Sequence, residues 1–332
     1  MSTSEQSRLV QVFRSPFTRA LMALVVVFIV GLIFNADGAF FKWGTHRDML
    51  RQSSVYGILA CGMTIVIITA GIDLSVGSVL GFTAVIFSLL TIHYAWSPLT
   101  AILVCVAAGT ACGMVSGGFI ARFSMQPFIA TLAMMVFARG LAKYVSKGMK
   151  VSTAVQQPDG LYTYVDEPPI FEWIDSRILH DNLAVVTIVF LVCIALSWVL
   201  LSRLRTGRYI YAIGGNEEAS RLSGVPVFFT KILAYGMSGL FASIAGICQA
   251  AQEHQGDPEA GGGYELRAIA IVVIGGTNLM GGRGSILLTL LGTLTIGYLE
   301  KILSINAVTE ASRLMLTGAI IVVAVLLQRG NK

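Results

Sequence analysis

The chain alternates long apolar runs with short polar punctuation. A helix needs roughly 20 mostly apolar residues to cross a hydrocarbon core. Runs of this kind fall near 20–35, 54–70, 76–93, 98–120, 126–143, 183–202, 229–250, 267–280, 285–304 and 313–328. The pattern predicts an all-α polytopic membrane protein of about ten transmembrane helices, some short or broken, in a single domain over 1–332. The second and third runs are parted only by Gly71-Ile72-Asp73-Leu74-Ser75, and the eighth is short and interrupted by glycine. Two polar stretches stand out from this background, 144–182 and 203–231.

Composition supports the same reading. Only 12% of the 332 residues are charged and 55% are hydrophobic, whereas a soluble domain carries about 25% charged residues. The net charge of +5 fits basic loops at a membrane and gives no reason to invoke nucleic acid. Cys61, Cys105, Cys112, Cys193 and Cys248 lie inside apolar runs without Cys-x-x-Cys spacing, the placement of reduced, buried thiols. His46, His93, His180 and His254 are scattered near run ends, which predicts no metal site.

Basic residues set the orientation. Arg8, Arg14 and Arg19 precede the first run, and no small-x-small cleavage site follows, so we read an uncleaved span with its N-terminus inside. Alternation then puts 203–231, Arg122 and the basic tail 329–332 inside, and 144–182 outside. The inner stretch holds Arg203, Arg205, Arg208, Arg221 and Lys231 around one short helix-forming piece. Asn216 is its N-cap, Glu217 and Glu218 fall in the first turn where the helix dipole favours them, and Gly224 is the stop before Pro226. A capped, exposed helix on a basic loop presents a surface to a partner. The outer stretch carries Asp159, Asp166, Glu167, Glu172, Asp175 and Asp181 with Pro158, Pro168 and Pro169, and is too short for a large core of its own. It reads either as a cap or docking surface or as a connecting loop.

Backbone groups cannot stay unpaired in lipid, so the break at 71–75 must sit against protein or water. Asp73 there either caps the helix that follows or serves a function at the break, and the two roles are compatible. The break has a faint echo: Gly71-Ile72-Asp73-Leu74 before Gly77-Ser78 resembles Gly276-Thr277-Asn278-Leu279 before Gly284-Ser285. Matched interruptions of this kind mark broken helices near a transport path. The glycine-rich passage 275–285 looks superficially like a phosphate loop. No lysine follows a suitable glycine there, so it is no Walker motif, and its glycines fit a tight turn or a close helix approach, with Arg283 at the interface. Glu253, His254, Asp257, Glu259 and Glu265 with Gly261-Gly262-Gly263 read as a solvated outer loop, and Glu300 and Lys301 as side chains reaching for the interface. The runs show no Glu-x-x-His, His-Glu-x-x-His or Gly-x-Ser-x-Gly spacing, so no catalytic residue is assigned.

Three passages together resemble one family. They are Gly71-Ile72-Asp73-Leu74-Ser75-Val76-Gly77-Ser78, then Gln126-Pro127-Phe128-Ile129-Ala130-Thr131-Leu132, then Tyr264-Glu265-Leu266-Arg267-Ala268-Ile269-Ala270 running on through Gly276-Thr277 to Gly284-Ser285. The family is the permease subunits of bacterial ABC importers for monosaccharides, of the ribose, galactose, xylose and arabinose type, with the autoinducer-2 permeases related. The likeness extends from about residue 50 onward, with 150–180 unmatched. It implies an inner-membrane permease that pairs with a second copy or a paralogue. A cytoplasmic ATPase would hold the ATP and magnesium, and a periplasmic sugar-binding protein would deliver substrate, leaving no cofactor on this chain. Glu218-Ala219-Ser220 with Gly224 resembles the Glu-Ala-Ala…Gly coupling motif of such permeases, with Ser220 in place of the usual alanine. On that likeness Asn216, Glu217, Glu218, Ala219, Ser220, Arg221, Leu222 and Gly224 are expected to meet the ATPase. Asp73, Ser75, Gly77, Thr277 and Asn278 are the candidates for the path or its broken helices. A secondary, ion-coupled transporter of a small polar solute is the competing reading. It usually needs several intramembrane ionisable groups, and Asp73 reads as nearly alone. An integral membrane enzyme comes third, for want of a catalytic constellation.

Overall fold

The apolar runs fold as helices because each must satisfy its own backbone in lipid, and local signals start them. In the computed structural model, which describes residues 15–156 and 160–329, the Ser15 hydroxyl accepts from Thr18 N–H ahead of Pro16 and so opens α1 (Pro16–Ile33). Arg8, Arg14, Pro158, Asp159 and tail residues 330–332 lie outside the described residues. There follow α2 (Trp43–Ile68), α3 (Val76–Ser88, prolonged by a π-turn over Leu89–His93), α4 (Pro98–Phe123) and α5 (Pro127–Val145). A small cap comes next, made of the hairpin β1 (Ala154–Gln156) and β2 (Tyr162–Tyr164), α6 (Pro169–Asp175), and the short pair β3 (Arg177–Ile178) and β4 (Leu183–Ala184). The chain then runs through α7 (Val185–Ser202), α8 (Arg205–Gly215), α9 (Glu217–Leu222), α10 (Val227–Glu253), α11 (Tyr264–Ile274), α12 (Ile286–Ile305) and α13 (Glu310–Arg329).

Eight of these helices, α1 to α5, α7, α10 and α12, are long and apolar enough to cross a membrane. The last predicted run is α13. The eighth is α11, which starts at Tyr264 and has only 11 residues, about 16 Å of helix and half a crossing. Helix α2 begins well before the predicted 54, because its first turns rise out of the apolar layer into the cap. There Arg47 pairs with Asp181 at 3.0 Å, Asp48 with Arg177 at 2.6 Å, and Arg51 with Asp175. Phe171 of α6 is fully buried against Phe87 of α3, ring centroids 5.2 Å apart. The described residues of the 144–182 stretch are therefore docked on the helices and not a loose connection.

Helix α10 is the hub, packed on α2, α3 and α4. Its seam with α4 is a stripe of small residues. A Cβ on Gly109 would lie 2.7 Å from the Gly239 carbonyl, and one on Gly117 2.9 Å from Ile232 Cα; Gly113 abuts the Tyr235 carbonyl. Without side chains there, the two backbones touch and dispersion replaces the hydrophobic drive that lipid cannot supply.

The segment after α10 corrects an expectation. Residues 254–263 do not form a merely solvated outer loop; they turn back along α3. Gly256 packs on Ala84 and Ser88, and Gly261, at φ +77°, packs its backbone on that of Gly77. Arg139 of α5 donates to the carbonyls of Pro258 and Ala260, the latter at 2.8 Å. This irregular stretch and α11 together make one broken crossing, with its polar backbone satisfied by protein as the bilayer requires.

Candidate functional site

The basic stretch 203–231 holds two helices, not one. Helix α8 is not expected from the arginine-rich sequence, yet Gly207, Ile210, Ile213 and Gly214 bury one face while Arg205 and Arg208 stay exposed, at the period of an amphipathic helix. Helix α9 forms as expected. The Asn216 side chain accepts from Ala219 N–H at 2.9 Å. At the other end Gly224 has φ +80°, Val225 N–H donates to the Ser220 carbonyl at 3.0 Å, and Gly224 N–H to that of Arg221 at 3.1 Å. These paired bonds, closed by a left-handed glycine, satisfy the last carbonyls.

The side chains of α9 divide by role. Glu217 faces the body, 2.6 Å from Lys231 Nζ and 3.0 Å from Arg221, so it fastens the helix to α10. Ser220 is buried and donates to the Asn216 carbonyl at 2.7 Å, which explains how a hydroxyl takes the place of alanine. Glu218, Ala219 and Leu222 face outward, and Leu222 is 84% exposed. A leucine so bare on a short capped helix is an uncovered contact.

The two breaks meet directly behind this helix. Gly282 N–H donates to the Ile68 carbonyl at 2.9 Å, joining the passage after α11 to the end of α2. Helix α8 touches both: the Tyr211 hydroxyl donates to the Gly284 carbonyl at 2.9 Å, and Gly214 packs on the Ile68 carbonyl. Asp73 accepts from Ser75 N–H at 2.9 Å and from the Ser75 hydroxyl at 2.6 Å, so it braces the turn two residues ahead of the N-cap, which is Ser75 itself. Its carboxylate is buried facing the Ser238 hydroxyl of α10, and the buried Tyr235 hydroxyl of the same helix lies close by. Asp73, Ser75, Gly77 and Thr277 are all buried, and Asn278 is half-buried with its N–H on the Arg283 carbonyl at 2.9 Å.

The other motif passages converge on the same region. The Thr131 hydroxyl donates to the Ile72 carbonyl at 3.2 Å, and Gly77 meets Gly261 and Glu265. Two expectations need correction. Glu300 does not reach for the interface but pairs with Arg267 at 3.4 Å, and Lys301 lies 4.0 Å from Asp48. Asp73 is also not nearly alone, since Arg139, Glu265, Arg267 and Glu300 all lie at least half-buried among the crossings. Both errors share a cause: partners far apart in sequence left no local signal. Among the described residues no group of three or more histidine, cysteine or carboxylate side chains is placed to hold a metal ion, and all five cysteines are free and buried.

Comparison with known proteins agrees with this architecture. Residues 47–325 match the family described as branched-chain amino acid transport system / permease component. The chain is 40% identical over 311 residues to the ribose import permease protein RbsC of Escherichia coli, covering 93% of this chain and 92% of that one. It is 34% identical to the fructose import permease protein FruG of Bifidobacterium longum, over 93% of this chain and 90% of that one. It is 32% identical to the xylose transport system permease protein XylH of Escherichia coli, over 94% and 91%. No solved structure matches it. With its whole length from α2 into α13 matched and its membrane-crossing helices in place, the chain belongs to this family of transport-system permease components and is a multi-pass membrane protein.

Proposed function

We propose that this chain is the transmembrane subunit of an ATP-driven importer that carries a monosaccharide, or a similar small neutral polyol, across a bacterial inner membrane. It works as half of a permease pair, either with itself or with a paralogue. ATP and magnesium are held by a separate cytoplasmic ATPase, and an external binding protein delivers the sugar. The observation that carries this reading is the exposed α9, capped at both ends and fastened to α10 through Glu217 and Lys231, on a chain without a Walker lysine. In this reading α9 seats in a groove of the ATPase, with Ala219 and Leu222 giving apolar contact and Glu218 setting register. Closure of the ATPase then moves the breaks around Asp73, Ser75, Gly77, Thr277 and Asn278, which border the path. The names of the relatives support a sugar as cargo.

The test is reconstitution of the chain in proteoliposomes with the ATPase and binding protein that co-purify with it. D-ribose, D-fructose and D-xylose uptake is then measured with and without ATP. Uptake that needs ATP and ignores collapse of ion gradients supports the reading. Uptake that follows a proton or sodium gradient and persists without ATP overturns it in favour of an ion-coupled transporter.

A further inference from the structure

A second polar feature lies away from α8, α9 and the breaks. Between α2, α10, α11, α12 and the start of α13 is a cavity of 390 Å³, within the roughly 300–1,000 Å³ range of small-molecule sites. It runs from Glu310 and Arg313 at the external end of α13 to Tyr56, which stands halfway along α2 (Trp43–Ile68). Every side chain that lines it is an amide, a phenol, a guanidinium or a carboxylate. In a chain only 12% charged, that concentration is a reason to expect a solute.

The arrangement says which kind. The charges balance, Arg267 and Arg313 against Glu300 and Glu310, so the cavity offers no net field to an ion. The rings of Tyr56 and Tyr264 meet edge to face at 4.7 Å between centroids. The Arg267 guanidinium lies over both rings, 4.9 and 5.7 Å from their centroids, while it donates to the Tyr56 hydroxyl and sits 3.4 Å from Glu300. Planar groups with paired donors or paired acceptors match vicinal hydroxyls, and fixed phenols add groups that both donate and accept. Tyr264 and Arg267 are in the first turn of α11, where the irregular stretch 254–263 gives way to helix, so the site lies at mid-depth beside that junction.

We propose that this cavity is a resting site for the neutral sugar inside the permease, with the Tyr56–Tyr264–Arg267–Glu300 cluster reading its hydroxyls. The inference rests on the importer reading above and adds a site within the permease itself. It therefore makes the permease a second point of selection after the binding protein.

The test uses the full chain in proteoliposomes carrying Gln52→Cys at the cavity mouth, where Gln52 is exposed, against a background of five buried thiols. A membrane-impermeant maleimide is added from outside with D-ribose, D-fructose or D-xylose, and lactose serves as a control too large for the site. At least one monosaccharide should slow labelling by the factor 1 + [L]/Kd, about tenfold at nine times Kd, and lactose should not. Tyr264→Phe in the same background should raise the protecting concentration roughly two- to tenfold with an unchanged thermal midpoint, which a purely structural hydroxyl would shift. If no monosaccharide protects while the wild type still takes up sugar with ATP, the site is overturned and the importer reading stands. Protection in a chain that shows no ATP-driven uptake would keep the site and sink the importer reading.

Discussion

The seam between α4 and α10 makes a quantitative demand that one methyl group can test. In Gly113→Ala the new Cβ would press on the Tyr235 carbonyl oxygen, 2.9 Å from its carbon and 3.1 Å from Gly239 N. All three atoms are α10 backbone, so no rotamer change relieves the contact, and α4 must move away along a seam that also includes Gly109 and Gly117. Overpacking of this kind costs about 1–3 kcal/mol, and alanine returns about 0.5–1 kcal/mol through its better helix propensity. Contact with backbone that cannot yield puts the overpacking cost in the upper part of its range, about 2–3 kcal/mol, so the balance is a loss of about 1–2.5 kcal/mol, or a roughly five- to seventyfold fall in the folded ratio. Gly118, in the same helix, is the internal control, because a Cβ there meets nothing within 4 Å. Gly118→Ala should be neutral or stabilising by up to about 1 kcal/mol. Thermal unfolding of the purified variants in one detergent, read from tryptophan emission, gives both answers. A Gly113→Ala midpoint at or above that of wild type would refute the packing argument, as would an equal fall in Gly118→Ala.

Three further predictions follow from other parts of the molecule. Combining Asn216→Ala with Gly224→Ala removes the α9 cap and puts a side chain at φ +80°, at about 1 kcal/mol for the cap and about 1–2 for the left-handed residue. ATP-dependent uptake should drop sharply at normal membrane levels, and unchanged uptake would speak against α9 as the coupling element. Asp73→Asn keeps an acceptor for the two Ser75 bonds and should retain the wild-type thermal midpoint, whereas Asp73→Ala loses both, about 1–3 kcal/mol; equal midpoints for the two variants would contradict the bracing role. Finally, the buried thiols should resist a soluble disulfide reagent in the folded protein and react on denaturation, five per chain; rapid reaction of any of them in the native state would show the burial to be wrong.

What the sequence revealed depended on how local the cause was. The caps of α9 are side chain to backbone bonds within a few residues, and so Asn216 and Gly224 could be read directly. Long apolar runs likewise announced α4, α7, α10 and α12. The broken crossing was hidden because its helical half is only 11 residues and its irregular half is held by Gly77, Arg139 and Ser88, from distant segments. Pro258 and the glycines at 261–263 gave the correct local message, a nonhelical backbone, but no sign of where that backbone goes. Arg267 and Glu300 were legible as charges and illegible as partners, since 33 residues and the whole 275–285 passage separate them. The missed α8 is different. Its apolar spacing was present, and the neighbouring arginines outweighed it.

The contact of Gly282 with Ile68, with α8 lying on both, has a mechanical meaning. Tyr211 holds one interruption and Gly214 presses on the other, only three residues apart on a rigid helix. A displacement of α8 therefore cannot load one half of the molecule and spare its counterpart. Such a joint acts as an interlock: the two interruptions share a single throw, and moving one without the other would break the Gly282–Ile68 hydrogen bond.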